Sequence, residues 1–233
     1  MPSFQSLRLL VTARRHPSAW LLLVQLLGVL LYPAMDGTAA GRAAFGVFGI
    51  VVLVLALWVV DRSAASNRIA WGLAAASVLL SLWSVLAQQP GVLVYAHVFE
   101  AALYFYTAAA LIAYMLRDHE VTSDELYAVG ATFTLLAWGF AFAYAACQFW
   151  FPGSFVAAVD PQLPRSWTEL LFLSFSTLSG VGLTDILPVR PHARALVMLE
   201  AFAGVMYIAL VVSRLIGLTV LRRPPASPGD GGV

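Results

Sequence analysis

The stretch "SFSTLSGVGLTDILP", residues 174–188, lies between two long apolar segments and sets two glycines, Gly180 and Gly182, on either side of Val181. It carries no charge until Asp185, and Pro188 closes it. Irregular backbone is costly in lipid, because N–H and C=O groups left out of a helix find no water there. Such backbone is tolerated only where protein surrounds it or where it lines a water-filled path. A loop rich in serine, threonine and glycine between membrane-length segments is therefore where function is expected.

The surrounding composition identifies the solvent. Of 233 residues 61% are hydrophobic and 11% charged, too few polar groups to wet a soluble globule. Net charge is +1 and there is no lysine, so neither a nucleic-acid footprint nor an acidic tail is present. The single cysteine, Cys147, sits in an apolar run and reads as a small buried hydrophobe. His16, His119 and His192 are too scattered for a metal site. No Ser/His/Asp set, phosphate loop or paired-carboxylate geometry points to an enzyme, and no cofactor is expected.

A helix needs about 20 apolar residues to cross the hydrocarbon core. Six segments qualify, at 18–35, 43–60, 69–87, 91–116, 126–151 and 190–221, which puts both termini on one side. Arg8, Arg14 and Arg15 precede the first span, Arg62 and Arg68 separate the second and third, Arg117 follows the fourth, and Arg222 and Arg223 follow the sixth. The other side receives Arg42, Arg165, Arg190 and Arg194. That asymmetry places the termini in the cytoplasm of a cell (inner) membrane. The first apolar run, about 17 residues, exceeds a signal h-region of roughly 7–15 and reads as a retained span. The tail, 224–233, is rich in proline and glycine and reads as disordered.

Between spans five and six, "SWTELLFLSFSTLS" reads as a helix of three to four turns, with Pro164 near its start and Glu169 in its first turns. A short helix running into Gly180, then an extended segment with an Asp and a Pro, is the pattern of a pore loop. The helix's negative C-terminal end favours a cation, and the backbone beyond it can replace ion hydration with carbonyl oxygens.

Residues 172–217, "FLSFSTLSGVGLTDILPVRPHARALVMLEAFAGVMYIALVVSRLIG", resemble the pore helix, filter and inner helix of the potassium-channel superfamily, above all bacterial members of the ion-channel pore family. The family's T-V-G-Y-G-D falls without gaps on Gly180, Val181, Gly182, Leu183, Thr184 and Asp185. The resemblance implies an all-α membrane fold with six transmembrane helices and a re-entrant pore helix and filter loop between the fifth and sixth. Residues 1–117 would form a four-helix peripheral domain and 118–223 the pore domain. With one pore loop per chain, it implies a homotetramer in the lipid bilayer that passes K+ or Na+, with no metal beyond the permeating ions. The filter would be Ser179 to Asp185, the gating hinge Gly204, and the filter's supports Ser176, Thr177 and Glu200.

Departures from the family pattern shape the expected activity. Gly180 deletes the hydroxyl of the family's threonine, Leu183 replaces its tyrosine, and Thr184 replaces a glycine that normally takes positive φ. The acidic pore-helix residue that usually partners the filter's Asp is Ser176 here, and the bracing Trp is Leu173. Span four has no arginine before Arg117, so voltage dependence should be weak. A looser likeness joins "GLT" to cation transporters that carry four pore loops in one chain. The expectation is a weakly selective monovalent-cation channel; a non-conducting structural or regulatory protein of the channel fold stays open as the alternative, with a secondary transporter third.

Other polar groups stand apart from the loop. His97, Glu100 and Tyr104 share one face of span four, a candidate intramembrane polar site whose bland counterpart is a hydrogen bond to a neighbouring helix's Ser, Thr or Trp. Ser176 and Thr177 either face the filter or bond back to their own helix carbonyls. Trp58, Trp71, Trp83, Trp138, Trp150 and Trp167 read as interfacial anchors.

Overall fold

The computed structural model describes residues 17–35, 48–49, 51–52, 54–58, 67–117 and 123–221. In chain order the elements are α1 (Pro17–Met35), α2 (Asn67–Leu86), α3 (Pro90–Arg117), α4 (Ser123–Trp150), β1 (Phe155–Ala157), α5 (Trp167–Leu178), β2 (Ile186–Pro188) and α6 (Pro191–Leu221). Residues 48–49, 51–52 and 54–58, within the expected second span, are helical. The rest of that span, the arginines before Pro17, Arg42, Arg62, His16, His119, Arg222, Arg223 and the tail lie outside the described residues.

Among the described residues, four helices are long and apolar enough to cross a membrane: Arg68–Leu86, Gly91–Leu116, Asp124–Trp150 and Pro191–Arg214. A shorter apolar stretch, Pro17–Leu31, lies in α1. The chain is thus a multi-pass membrane protein. Proline opens α1, α3 and α6, where its missing N–H is no loss. Asp124 and Glu125 open α4, complementing its positive end. The reversal from α2 to α3 is tight: Gln88 takes φ 52°, and Ser84 Oγ donates to Gln89 O at 3.1 Å.

The hub is α4, which packs against α1, α3, α5 and α6. One apolar core gathers Leu21, Leu103, Tyr104, Leu111, Leu135 and Trp138 around α1, α3 and α4. A second gathers Tyr144, Phe155, Leu170, Leu173, Leu178 and Ile186 around α4, α5 and the strands. Polar ties join the helices at the end opposite the strands. Ser18 Oγ donates to Asp124 Oδ2 at 3.0 Å, and Arg214 Nη2 donates to Glu125 Oε2 at 3.2 Å.

Two expectations need correction. Trp138 is not an interfacial anchor: it is 1% exposed and meets Trp167 edge-on at 5.1 Å between ring centroids, joining α4 to α5. Trp71, Trp83 and Trp150 are exposed, as anchors are. The fold is also not purely helical, because β1 and β2 pair antiparallel with Phe155 opposite Pro188, Val156 opposite Leu187 and Ala157 opposite Ile186. Three-residue strands are too short for a two-residue alternation to stand out, and the two partners lie about 30 positions apart in the chain.

Candidate ion-conduction site

The site is built on α5. Its 12 residues rise about 18 Å, short of the roughly 30 Å of a hydrocarbon core. Ser166 and Glu169 start it with a reciprocal capping box: Glu169 N donates to Ser166 Oγ at 3.3 Å, and Ser166 N donates to Glu169 Oε2 at 2.6 Å. The S-x-x-E spacing was present in the sequence as the signal for this start. Leu170, Leu171, Leu173 and Leu178 bury the helix against the rest of the chain.

At the other end of α5 the chain turns its N–H groups back. Ser179 N donates to Phe175 O at 3.1 Å, Gly180 N to Thr177 O at 3.0 Å, and Gly182 N to Ser176 O at 3.0 Å. These bonds satisfy carbonyls that a helix terminus leaves orphaned. Gly180 and Gly182 have φ of +73° and +67°, the left-handed region that glycine enters without penalty. Among the described residues, no N–H or hydroxyl donates to the carbonyls of 179–184. Val181 and Leu183, 71% and 73% exposed, have side chains that the single chain leaves uncovered.

Thr184 does not take the positive φ that the family's last glycine normally adopts: the positive φ values of this loop fall on Gly180 and Gly182. Its Oγ1 accepts from Ile186 N at 3.1 Å and turns the chain into β2. Asp185 is exposed and makes no hydrogen bond among the described residues.

The expected supports separate into three cases. Glu200 is fully buried against α4 and α5, where Tyr144 Oη donates to its Oε2 and Ser174 Oγ to its Oε1. Ser174 Oγ also lies 2.8 Å from Ala137 O. A carboxyl removed from water requires such partners, and here they tie α6 to α4 and α5. Ser176 acts through its backbone carbonyl, since its buried Oγ has no partner among the described residues. Thr177 likewise contributes its carbonyl, to Gly180. Ser174 and Tyr144 were missed by the sequence reading. Only the odd polarity of a serine on the buried face of α5 could have pointed to the first.

Gly204 is buried on α6, which runs through it without interruption. A Cβ there would lie 2.1 Å from the Leu178 carbonyl oxygen, so glycine lets α6 approach the last residue of α5. His97 and Glu100 are remote from this loop. His97 Nδ1 meets Glu100 Oε2 at 3.1 Å, Ser77 Oγ donates to Glu100 Oε1 at 3.2 Å, and Tyr104 stacks on Phe142. The neighbouring-helix hydroxyl anticipated as the structural alternative for Glu100 is thus Ser77.

Comparison with known proteins bears on the same stretch. The model of a family described as "Ion channel" matches residues 131–220, from within α4 to the end of α6. The inward rectifier potassium channel Kirbac3.1 of Paramagnetospirillum magnetotacticum is 32% identical over 74 residues, 32% of this chain but 22% of that protein. The chain therefore spans about a fifth of the length of that curated relative. A UPF0060 membrane protein of Paraburkholderia phymatum is 41% identical over 78 residues, 31% of this chain and 71% of that protein. Its name specifies a membrane protein and no activity, so over that stretch the chain is kin to the UPF0060 membrane proteins. No solved structure matches the chain at a significant level. The matched family is one of channels rather than enzymes, and the residues that carry the match are α4, the capped helix α5, the Gly180–Asp185 loop and α6. Over residues 131–220 the chain is similar to the channel domain of the potassium-channel superfamily.

Proposed function

We propose that four copies of this chain surround one pore and pass monovalent cations, K+ or Na+, with little preference between them. The observation that carries this reading is the row of unpaired carbonyls from Ser179 to Thr184 at the C-terminal end of α5, with the N–H groups of Gly180 and Gly182 turned back onto that helix. Oxygen rings of this kind stand in for ion hydration, and a helix's C-terminal end adds a favourable field for cations. Asp185, exposed beyond the loop, raises cation concentration at the outer mouth.

The peripheral helices pack on the pore helices of their own chain, and the described part of α3 from Pro90 to Leu116 contains no arginine, which supports weak voltage dependence. His97 and Glu100, with Ser77 donating to Glu100, are the polar site of this peripheral part. In this reading the chain crosses the bilayer six times, α5 and the loop re-enter the membrane, and both termini are cytoplasmic. Gating takes place along α6 around Gly204, whose contact with Leu178 connects the inner helix to the filter.

One pore loop per chain requires several chains around an axis. The apolar side chains that α6 leaves exposed, Met198, Leu199, Phe202, Val205 and Met206, are compatible with burial against further copies. Mass measurement in detergent or nanodiscs is expected to give four subunits of 25.1 kDa each. A stable monomer would overturn the proposal.

A further inference from the structure

The exit from the filter poses a mechanical problem. A loop whose carbonyls are unpaired has to be held from outside, and Asp185 does not hold it, being exposed and without a partner among the described residues. The positions from which an acid or a tryptophan could brace it are occupied by Ser176, whose Oγ is unpaired, and by the buried apolar Leu173. What does grip the chain is the strand that follows directly. β2 begins one residue after Asp185 and pairs with β1 in the segment that leaves α4.

The register is well defined. Val189 N donates to Ser154 O at 2.9 Å, which marks Ser154 and Val189 as a hydrogen-bonded pair. Antiparallel pairs alternate, so Phe155 and Pro188 form a non-hydrogen-bonded pair, where proline's missing N–H costs nothing, and Val156 and Leu187 form the next hydrogen-bonded one. Phe155, Ala157 and Ile186 are buried, and Phe155 packs on Tyr144, with 5.1 Å between ring centroids. Tyr144 in turn donates to Glu200. The ladder is thereby seated on the helices that support the filter from behind.

The segment after β1 is fixed as firmly. Arg165, 6% exposed, donates to Val159 O at 3.2 Å, Asp160 O at 2.5 Å, Leu163 O at 2.5 Å and Glu169 Oε1 at 3.0 Å. Gln148 of α4 takes the Arg165 backbone in both directions, at 2.7 and 2.9 Å. A guanidinium carries five donors in a rigid fork, and here that fork gathers the loop onto the first turn of α5.

We infer that the β1–β2 pair, anchored by Arg165, positions the outer end of the filter in place of a side-chain brace on Asp185. Val156 and Arg165 are then positioning residues: Val156 acts through its backbone N–H and Arg165 through its fork. The inference rests on the conduction proposed above, yet the pairing can be tested without current.

The first arm is a cross-link in the full chain. Cα atoms of a hydrogen-bonded antiparallel pair lie about 5.5 Å apart, within disulfide reach, and Cys147 is buried. The double variant Val156→Cys, Leu187→Cys should oxidise to an intrachain disulfide, read by mass; failure to form it overturns the inference whether or not the protein conducts. The second arm is sustained current through the reconstituted tetramer in symmetric K+. Val156→Pro, which removes the ladder N–H, and Arg165→Met should each speed decay of the current at least tenfold, with decay slowing as external K+ rises, because a bound ion favours the state that holds it. Val156→Thr keeps the N–H and should decay as the wild type does. Unchanged decay in assembled Val156→Pro tetramers, decay insensitive to K+, or accelerated decay in Val156→Thr would each overturn the inference. A wild type without current would overturn the proposed function, leaving the disulfide to decide the pairing.

Discussion

Gly204→Ala is expected to lower cation flux through the reconstituted protein by at least tenfold while leaving the helices formed. The added Cβ would meet the Leu178 carbonyl oxygen at 2.1 Å, its carbon at 2.9 Å and its Cα at 3.0 Å. These are backbone atoms, so no rotamer change relieves the clash. Either α6 or the end of α5 has to move, and Leu178 is 1% exposed with little room to do so. Overpacking a well-filled contact costs about 1–3 kcal/mol, and a tetramer would repeat it in each subunit. Leu178 immediately precedes Ser179, so the displacement reaches the first unpaired carbonyls of the 179–184 loop directly. A pure hinge role for Gly204 would alter opening rates and spare flux through open channels. Single-channel recording separates these outcomes, and Gly204→Ala channels of wild-type conductance would show that the Leu178 contact is unimportant.

Gly180→Thr carries the second large effect, in a direction opposite to what alignment with the family's threonine suggests. Restoring the hydroxyl looks like repair, and the space around the position is open, with no atom within 4 Å of where a Cβ would sit. The obstacle is the backbone. At φ +73° an L-residue is penalised by about 1–2 kcal/mol, and a β-branched one most of all. Leaving the left-handed region would break the bond from Gly180 N to Thr177 O and re-aim the carbonyls on both sides. Gly180→Thr is therefore expected to reduce flux and tetramer thermal stability without creating potassium selectivity, and Gly180→Ala to do the same more mildly. Flux and melting temperature measured together check this. A Gly180→Thr protein as stable as the wild type and newly potassium-selective would contradict the left-handed assignment.

These two glycines show where the sequence was readable and where it was not. Local signals survived folding: α5 occupies 167–178 as the run before Gly180 suggested, which follows from short-range physics, a capped apolar helix. Relations between distant segments were not readable. Nothing in the local pattern pairs Phe155–Ala157 with Ile186–Pro188, joins Tyr144 and Ser174 to Glu200, or sends Trp138 inward to Trp167. Composition alone could not distinguish a tryptophan at the lipid interface from one between two helices. Thr184, β-branched, does not adopt the positive φ of the glycine it replaces, and the left-handed positions of this loop are Gly180 and Gly182.

The central claim is that four copies of residues 179–184 line a cation path that discriminates weakly. Selectivity for potassium draws on a stack of consecutive oxygen rings, and this loop lacks the hydroxyl ring at Gly180. The most direct test is the reversal potential of purified wild-type protein in planar bilayers, with K+ on one side and Na+ at equal concentration on the other. The account predicts a cation current that reverses near zero. A reversal far toward the potassium equilibrium potential, or no current above that of protein-free bilayers, would contradict it.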